Sequence, residues 1–131
     1  MPVFKLDVVT PERTIYSGSV QSLRAPGSQG GFGVLPRHAS MLAALQIGPL
    51  SFVEEEGEGK SMAISGGFAE VRGESVTVLA ETAESPVDID VDRAQAARDR
   101  ALERLSHRAD IDVERAQAAL MRALNRLKIG G

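Results

Sequence analysis

At 131 residues with a net charge of −3, two histidines and no cysteine, the chain has room for one ordinary core, or for a small core with an appendage. The acidic balance argues against a partner held by neutralising nucleic-acid phosphates. The missing cysteines exclude disulfides and thiolate chemistry, and two histidines give little basis for a histidine-built zinc site, so no metal is expected. No stretch approaches the roughly 20 apolar residues that span a bilayer. The start, Met1-Pro2-Val3-Phe4-Lys5-Leu6-Asp7, lacks the apolar run of a signal peptide and the Arg/Ser-rich look of a transit peptide, so the chain is expected on the cytoplasmic side, touching a membrane only through a partner.

From the N-terminus to about Ala80 the pattern is that of short strands. Phe4-Lys5-Leu6-Asp7-Val8 alternates apolar and polar residues with period two, and so do Lys60-Ser61-Met62-Ala63-Ile64 and Ser75-Val76-Thr77-Val78. Breaks are expected at Thr10-Pro11-Glu12, Ala25-Pro26-Gly27, Leu35-Pro36-Arg37, Gly48-Pro49, Gly57-Glu58-Gly59 and Gly66-Gly67. Many short strands with turns at this spacing predict an antiparallel β-sandwich or flattened barrel over residues 1–85. The run Glu54-Glu55-Glu56-Gly57-Glu58 reads as a solvated hairpin tip.

After Pro86 the composition turns to Ala, Arg and Leu, and glycine is missing until Gly130, which predicts helix. The chain also repeats itself. Ile89-Asp90-Val91-Asp92-Arg93-Ala94-Gln95-Ala96-Ala97 returns as Ile111-Asp112-Val113-Glu114-Arg115-Ala116-Gln117-Ala118-Ala119, and Arg100-Ala101-Leu102 returns as Arg122-Ala123-Leu124. Two such helices joined by Ser106 to Asp110 make an antiparallel two-helix hairpin over residues 86–131. Asp90 and Asp112 stand where an N-cap carboxylate accepts first-turn amide hydrogens. Ile89 and Ile111 precede them as hydrophobic staples on Ala94 and Ala116. These devices contribute about 1–2 kcal/mol per helix. Ala94, Ala97, Ala101, Leu102 and Leu105 form one apolar stripe, and Ala116, Ala119, Ala123, Leu124 and Leu127 the other. Alanine removes little apolar area from water, so the hairpin is expected to be marginal alone and to lean on something else.

Arg93, Arg100 and Arg104 line one helix face, and Arg115, Arg122 and Arg126 repeat the arrangement. Three readings stay open: a solvated basic face, a polyanion site formed when the hairpin closes, or attraction to an acidic partner. No enzyme signal accompanies them. Gly59-Lys60-Ser61 imitates the end of a phosphate-binding loop, but Glu54 stands where its first glycine is required. The glycines at 27, 30, 31 and 33 miss the dinucleotide spacing, and nothing pairs two carboxylates for acid–base work.

Val9-Thr10-Pro11-Glu12-Arg13, Gly31-Phe32-Gly33-Val34-Leu35-Pro36-Arg37-His38-Ala39, Leu45-Gln46-Ile47-Gly48-Pro49-Leu50 and Ser65-Gly66-Gly67-Phe68-Ala69-Glu70-Val71 together resemble the epsilon subunits of F-type ATP synthases, the counterpart of the mitochondrial delta subunit. The resemblance implies a non-catalytic rotor part whose sandwich packs on the gamma subunit and sits on the c-ring, with Leu35, Pro36, Arg37 and His38 at the ring. It implies a hairpin with two placements, folded down on the sandwich, or extended towards the alpha and beta catalytic subunits where it blocks ATP hydrolysis. Some bacterial members hold ATP in the folded-down form through an Ile/Leu-Asp-x-x-Arg-Ala motif, which Ile89 to Ala94 matches. By that resemblance Glu84, Ile89, Asp90, Arg93, Ala94, Arg100, Arg122 and Arg126 are the expected ATP contacts, with ATP as a regulatory ligand and no metal. The implied location is peripheral, on the cytoplasmic face of the cell membrane, or the stromal face of a thylakoid if the source is photosynthetic. A stand-alone nucleotide-sensing module using the same hairpin without a rotor is the rival reading.

Overall fold

The computed structural model describes residues 2–107 and 112–130. Seven strands come first: β1 (Phe4–Val9), β2 (Thr14–Ala25), β3 (Phe32–Val34), β4 (Met41–Leu45), β5 (Gly48–Glu54), β6 (Gly59–Arg72) and β7 (Ser75–Glu84). A 3-10 turn (Pro86–Asp88) leads into helices α1 (Val91–Leu105) and α2 (Val113–Gly130). The order of pairing is β1-β7-β6-β5-β2, with β2 returning to β1, so the sheet closes on itself; β3 extends β2 and β4 extends β6. Only the β1–β7 pair is parallel among the registers seen. It joins the first strand to the last and leaves β1 and β7 without a free edge to recruit another chain.

Period-two alternation explains the core. Phe4, Leu6 and Val8 of β1, Leu50 and Phe52 of β5, and Val76, Val78 and Ala80 of β7 all point inward and are buried. Each large apolar side chain so buried contributes roughly 1.5–3 kcal/mol. The sandwich shape comes from the two long strands. The first half of β2 pairs with β1 and its second half with β5, with an irregularity between Val20 and Ser22. β6 pairs with β5 before Ser65 and with β4 after Gly66.

Gly66-Gly67 therefore does not end a strand, as its composition suggests; it bends one. Gly66 and Gly67 have φ of +68° and +120°, and a Cβ at Gly67 would collide with the Leu79 carbonyl oxygen of the neighbouring strand. Gly48-Pro49 is likewise the opening of β5 rather than a gap between strands.

The hairpin lies on this sandwich through one helix. α2 touches β5, β6 and the 3-10 turn, and α1 packs along α2. Asp90 caps α1 by accepting from the Arg93 backbone N–H at 3.0 Å, and Asp112 caps α2 by accepting from that of Arg115 at 3.1 Å. The helices meet through their small residues: Ala94 and Ala101 in α1 and Ala116 and Ala123 in α2 are buried. The leucines of the expected stripes fare differently. Leu102 and Leu124 remain 50% and 47% exposed, so the inward faces are narrower than the stripes the periodicity suggests. Ile89 is buried against the far end of α2, where a Cβ at Gly130 would approach its Cγ2 to 2.8 Å. The second staple residue, Ile111, and the connection after His107 lie outside the described residues.

Candidate functional site

Between the end of β7, the 3-10 turn and the two helices lies a cleft of about 370 Å³. Its walls are Glu84, Asp88, Asp90, Arg93, Ala94, Ala97, Arg100, Ala119, Arg122 and Arg126. The local structure explains how the chain converges there. β7 delivers Glu84 at its last residue, the turn places Asp88, the capped first turn of α1 sets Asp90 and Arg93, and Arg100 follows two turns later. Arg122 and Arg126 arrive from the antiparallel partner, one turn apart on one face. Ala94, Ala97 and Ala119 floor the cleft with side chains too small to fill it.

Of the expected ATP residues, Glu84, Asp90, Arg93, Ala94, Arg100, Arg122 and Arg126 are thus brought together, and Ile89 is not on the wall but packed beside Gly130. Asp88 joins them without having been singled out in the sequence.

Charge in the cleft is nearly balanced yet unevenly committed. Arg126 Nε donates to Glu84 Oε1 at 2.5 Å, and the Asp90 carboxylate is engaged as the helix cap. Among the described residues, Arg93, Arg100 and Arg122 form no ion pair. Three guanidiniums facing a hollow of this size are suited to a ligand carrying several anionic oxygens, since the fork of each N–H set matches phosphate. Among the described residues, no group of three His, Cys, Asp or Glu side chains is placed to hold a metal ion.

The repeat makes a second, separate cleft with a different content. Asp112, Arg115 and Ala116, the second copy of the motif, line a hollow of about 370 Å³ with Arg104. Neither Glu84 nor Asp88 reaches it, so the same letters in the two copies build unequal sites.

Leu35-Pro36-Arg37-His38 forms a turn closed by the His38 N–H donating to the Leu35 carbonyl at 3.2 Å. Arg37 sits at φ +67°, a left-handed conformation uncommon outside glycine, in the third position of a proline-led turn. Leu35 is 65% exposed.

Two further features were not anticipated from sequence. Glu54 is no mere solvated tip: it accepts from the Tyr16 hydroxyl at 2.7 Å and pairs with Lys60 at 3.5 Å, while the Tyr16 ring leans on Phe52. Burial first, then the hydrogen bond to Glu54 and the nearby Glu54 and Glu56 charges, push the Tyr16 hydroxyl well above its ordinary value of 10.0. Asn125, the second, is a buried polar residue in the seam between α2 and the sandwich. A polar residue where the helical period allows an inward position was the available signal.

A sandwich with a charged helical hairpin seated on it belongs to the class of small β-sandwich proteins with a helical arm. The description "ATP synthase, Delta/Epsilon chain, beta-sandwich domain" matches residues 3–86, and "ATP synthase, Delta/Epsilon chain, long alpha-helix domain" matches residues 88–131. The ATP synthase epsilon chain of Brevibacillus brevis is 48% identical over 108 residues, which cover 82% of this chain and 82% of that one. The epsilon chain of Carboxydothermus hydrogenoformans is 52% identical over 104 residues, 79% of this chain and 77% of that one. A chain in the structure of the Euglena gracilis mitochondrial ATP synthase (OSCP/F1/c-ring in rotational state 1) superposes with a TM-score of 0.79 at 22% identity, covering 98% of this chain and 80% of that chain, a likeness of fold. The chain belongs to the ATP synthase delta/epsilon family, on the side of the epsilon chains, which are non-catalytic stalk subunits. No helix among the described residues is long and apolar enough to cross a membrane.

Proposed function

We propose that this chain is a central-stalk part that couples the catalytic head to the c-ring and restrains ATP hydrolysis through its helical arm, with ATP holding the arm down. The observation that carries this reading is the composition of the cleft: Glu84 is the last residue of the sandwich's final strand, whereas Asp88, Asp90, Arg93, Arg100, Arg122 and Arg126 belong to the arm that follows it. A ligand in such a cleft binds the seated arm and not the released one. It stabilises the seated state by RT ln(1 + [L]/Kd), about 2.7 kcal/mol at a hundredfold excess over Kd. That magnitude suffices to turn over a two-state element whose placements differ by a few kcal/mol. Arginines supply the positive charge that phosphates need, so binding proceeds without Mg²⁺.

The sandwich serves as the foot. In this reading the Leu35-Pro36-Arg37-His38 turn meets the c-ring, and the gamma subunit packs on the sandwich. The exposed row of Leu42, Phe68 and Leu79, in which Phe68 and Leu79 are cross-strand partners, offers an apolar surface for it. When released, the arm reaches the alpha and beta subunits. The chain then works at the cytoplasmic face of the coupling membrane, held there by the complex. The test is a titration of the isotope-labelled chain with ATP, followed by amide resonances. Saturable shifts at Glu84, Arg93, Arg100, Arg122 and Arg126 are expected, and a spectrum unmoved by millimolar ATP would overturn the nucleotide part of the reading.

A further inference from the structure

Asn125 is the point at which the arm grips the sheet. Its side-chain amide donates to the Gly48 carbonyl at 2.9 Å and to the Ile64 carbonyl at 3.3 Å. Those two residues face each other across the β5–β6 ladder, so one carboxamide nitrogen spends both of its hydrogens on one rung of the sandwich. The seam around it is close, with a hollow of only about 10 Å³ left beside Ser65, Thr82 and Asn125.

Such a contact fixes more than attachment. Sliding a helix by one residue moves a side chain about 1.5 Å along the axis and about 100° around it, which breaks both bonds at once. Apolar contact alone would tolerate that slip; paired hydrogen bonds to backbone do not. Arg122 and Arg126, three before and one after Asn125, are the two α2 arginines of the cleft, and Arg126 meets Glu84 across the seam. We propose that Asn125 is a positioning residue, a polar pin that sets the seat of α2 on the sandwich and so holds Arg122 and Arg126 in the anion cleft. The coupling to the cleft rests on the nucleotide reading above; the pin itself does not.

A polar pin also suits an arm that must leave. On release, the amide returns to water, which satisfies it, whereas a leucine in that place would make neither bond in the seated state. The seated state is therefore specific without being permanent.

The test measures hydrogen exchange on the full chain, first without nucleotide, for Asn125→Asp, which keeps the shape and loses the donors, and for Asn125→Leu, which adds no charge beside the arginines. Amides of α2 are expected to exchange on the order of 10- to 100-fold faster in both variants, the scale of two lost hydrogen bonds, while β1 and β7 keep wild-type protection. ATP affinity, read by calorimetry, is expected to fall by a similar factor, because binding must now draw the arm back into place. Unchanged α2 protection in both variants overturns the pin. Released α2 with unchanged ATP affinity overturns the positioning role. Released α2 in the variants, with no ATP binding even by wild type, sinks the nucleotide reading and leaves the pin standing.

Discussion

The two copies of the repeated motif allow a matched pair of substitutions. Arg93 and Arg115 occupy the same position in Ile-Asp-x-x-Arg-Ala, each in the first turn of its helix and each donating its backbone N–H to the capping aspartate. Alanine keeps that N–H, and both side chains are exposed, so either substitution is expected to change stability by no more than about 0.5 kcal/mol. Their surroundings differ. Arg93 shares its cleft with Arg100, Arg122 and Arg126, whereas Arg115 shares one with Arg104 and Asp112. A hydrogen bond between charged groups contributes about 1.5–3 kcal/mol. The cleft is open to water, so the lower half of that range applies, and Arg93→Ala is expected to weaken ATP binding roughly 10- to 40-fold. Arg115→Ala is expected to change it less than about twofold, its side chain being in the other cleft. Calorimetric titration of both variants with ATP, without added Mg²⁺, reads the two constants. Equal losses for the pair would refute the assignment of the ligand to the first copy.

Gly67→Ala combines a left-handed backbone with a collision against the Leu79 carbonyl, and it is expected to cost about 2–5 kcal/mol in urea unfolding; a loss below about 1 kcal/mol would contradict the bend described for β6. Tyr16 is the one tyrosine of the chain, and its raised pKa means that the fold favours the neutral phenol. That preference is fully present below pH 10, the ordinary value, and is lost as pH climbs beyond it towards the higher folded value. Ultraviolet titration should show phenolate forming late, in step with alkaline unfolding, and ionisation near pH 10 in a still-folded chain would contradict the burial of the Tyr16 hydroxyl together with its bond to Glu54. Asp112→Ala removes the cap of α2 and is expected to cost about 1 kcal/mol of helix stability, read as faster exchange in its first turn, with ATP affinity unchanged.

Much of this architecture is legible in the sequence because it is local. Alternation over Phe4 to Val8 or Ser75 to Val78 fixes which side chains face inward, and Asp90 and Asp112 declare the helix starts by spacing alone. The arginine cleft is legible in part, since like residues at helical spacing share a face, although spacing does not say what that face meets. What escaped was long-range. Gly66-Gly67 carries the composition of a strand end, and only the approach of Leu79 makes it a bend. A helical period places Leu102 and Leu124 beside the alanines but cannot say where a narrow interface stops, so both remain half exposed. Glu54 reads as one more acid in a turn until Tyr16 reaches it across the sheet. Asn125 stands between two leucine-rich turns with nothing local to reveal the two carbonyls awaiting it.

The proposed restraint of hydrolysis by the helical arm is tested most directly by cutting the chain after Ser85 and comparing ATP hydrolysis by the catalytic complex reconstituted with the full-length and shortened forms. Faster hydrolysis with the shortened chain, from a complex that still assembles, is the expected result. Equal rates would contradict a restraining arm.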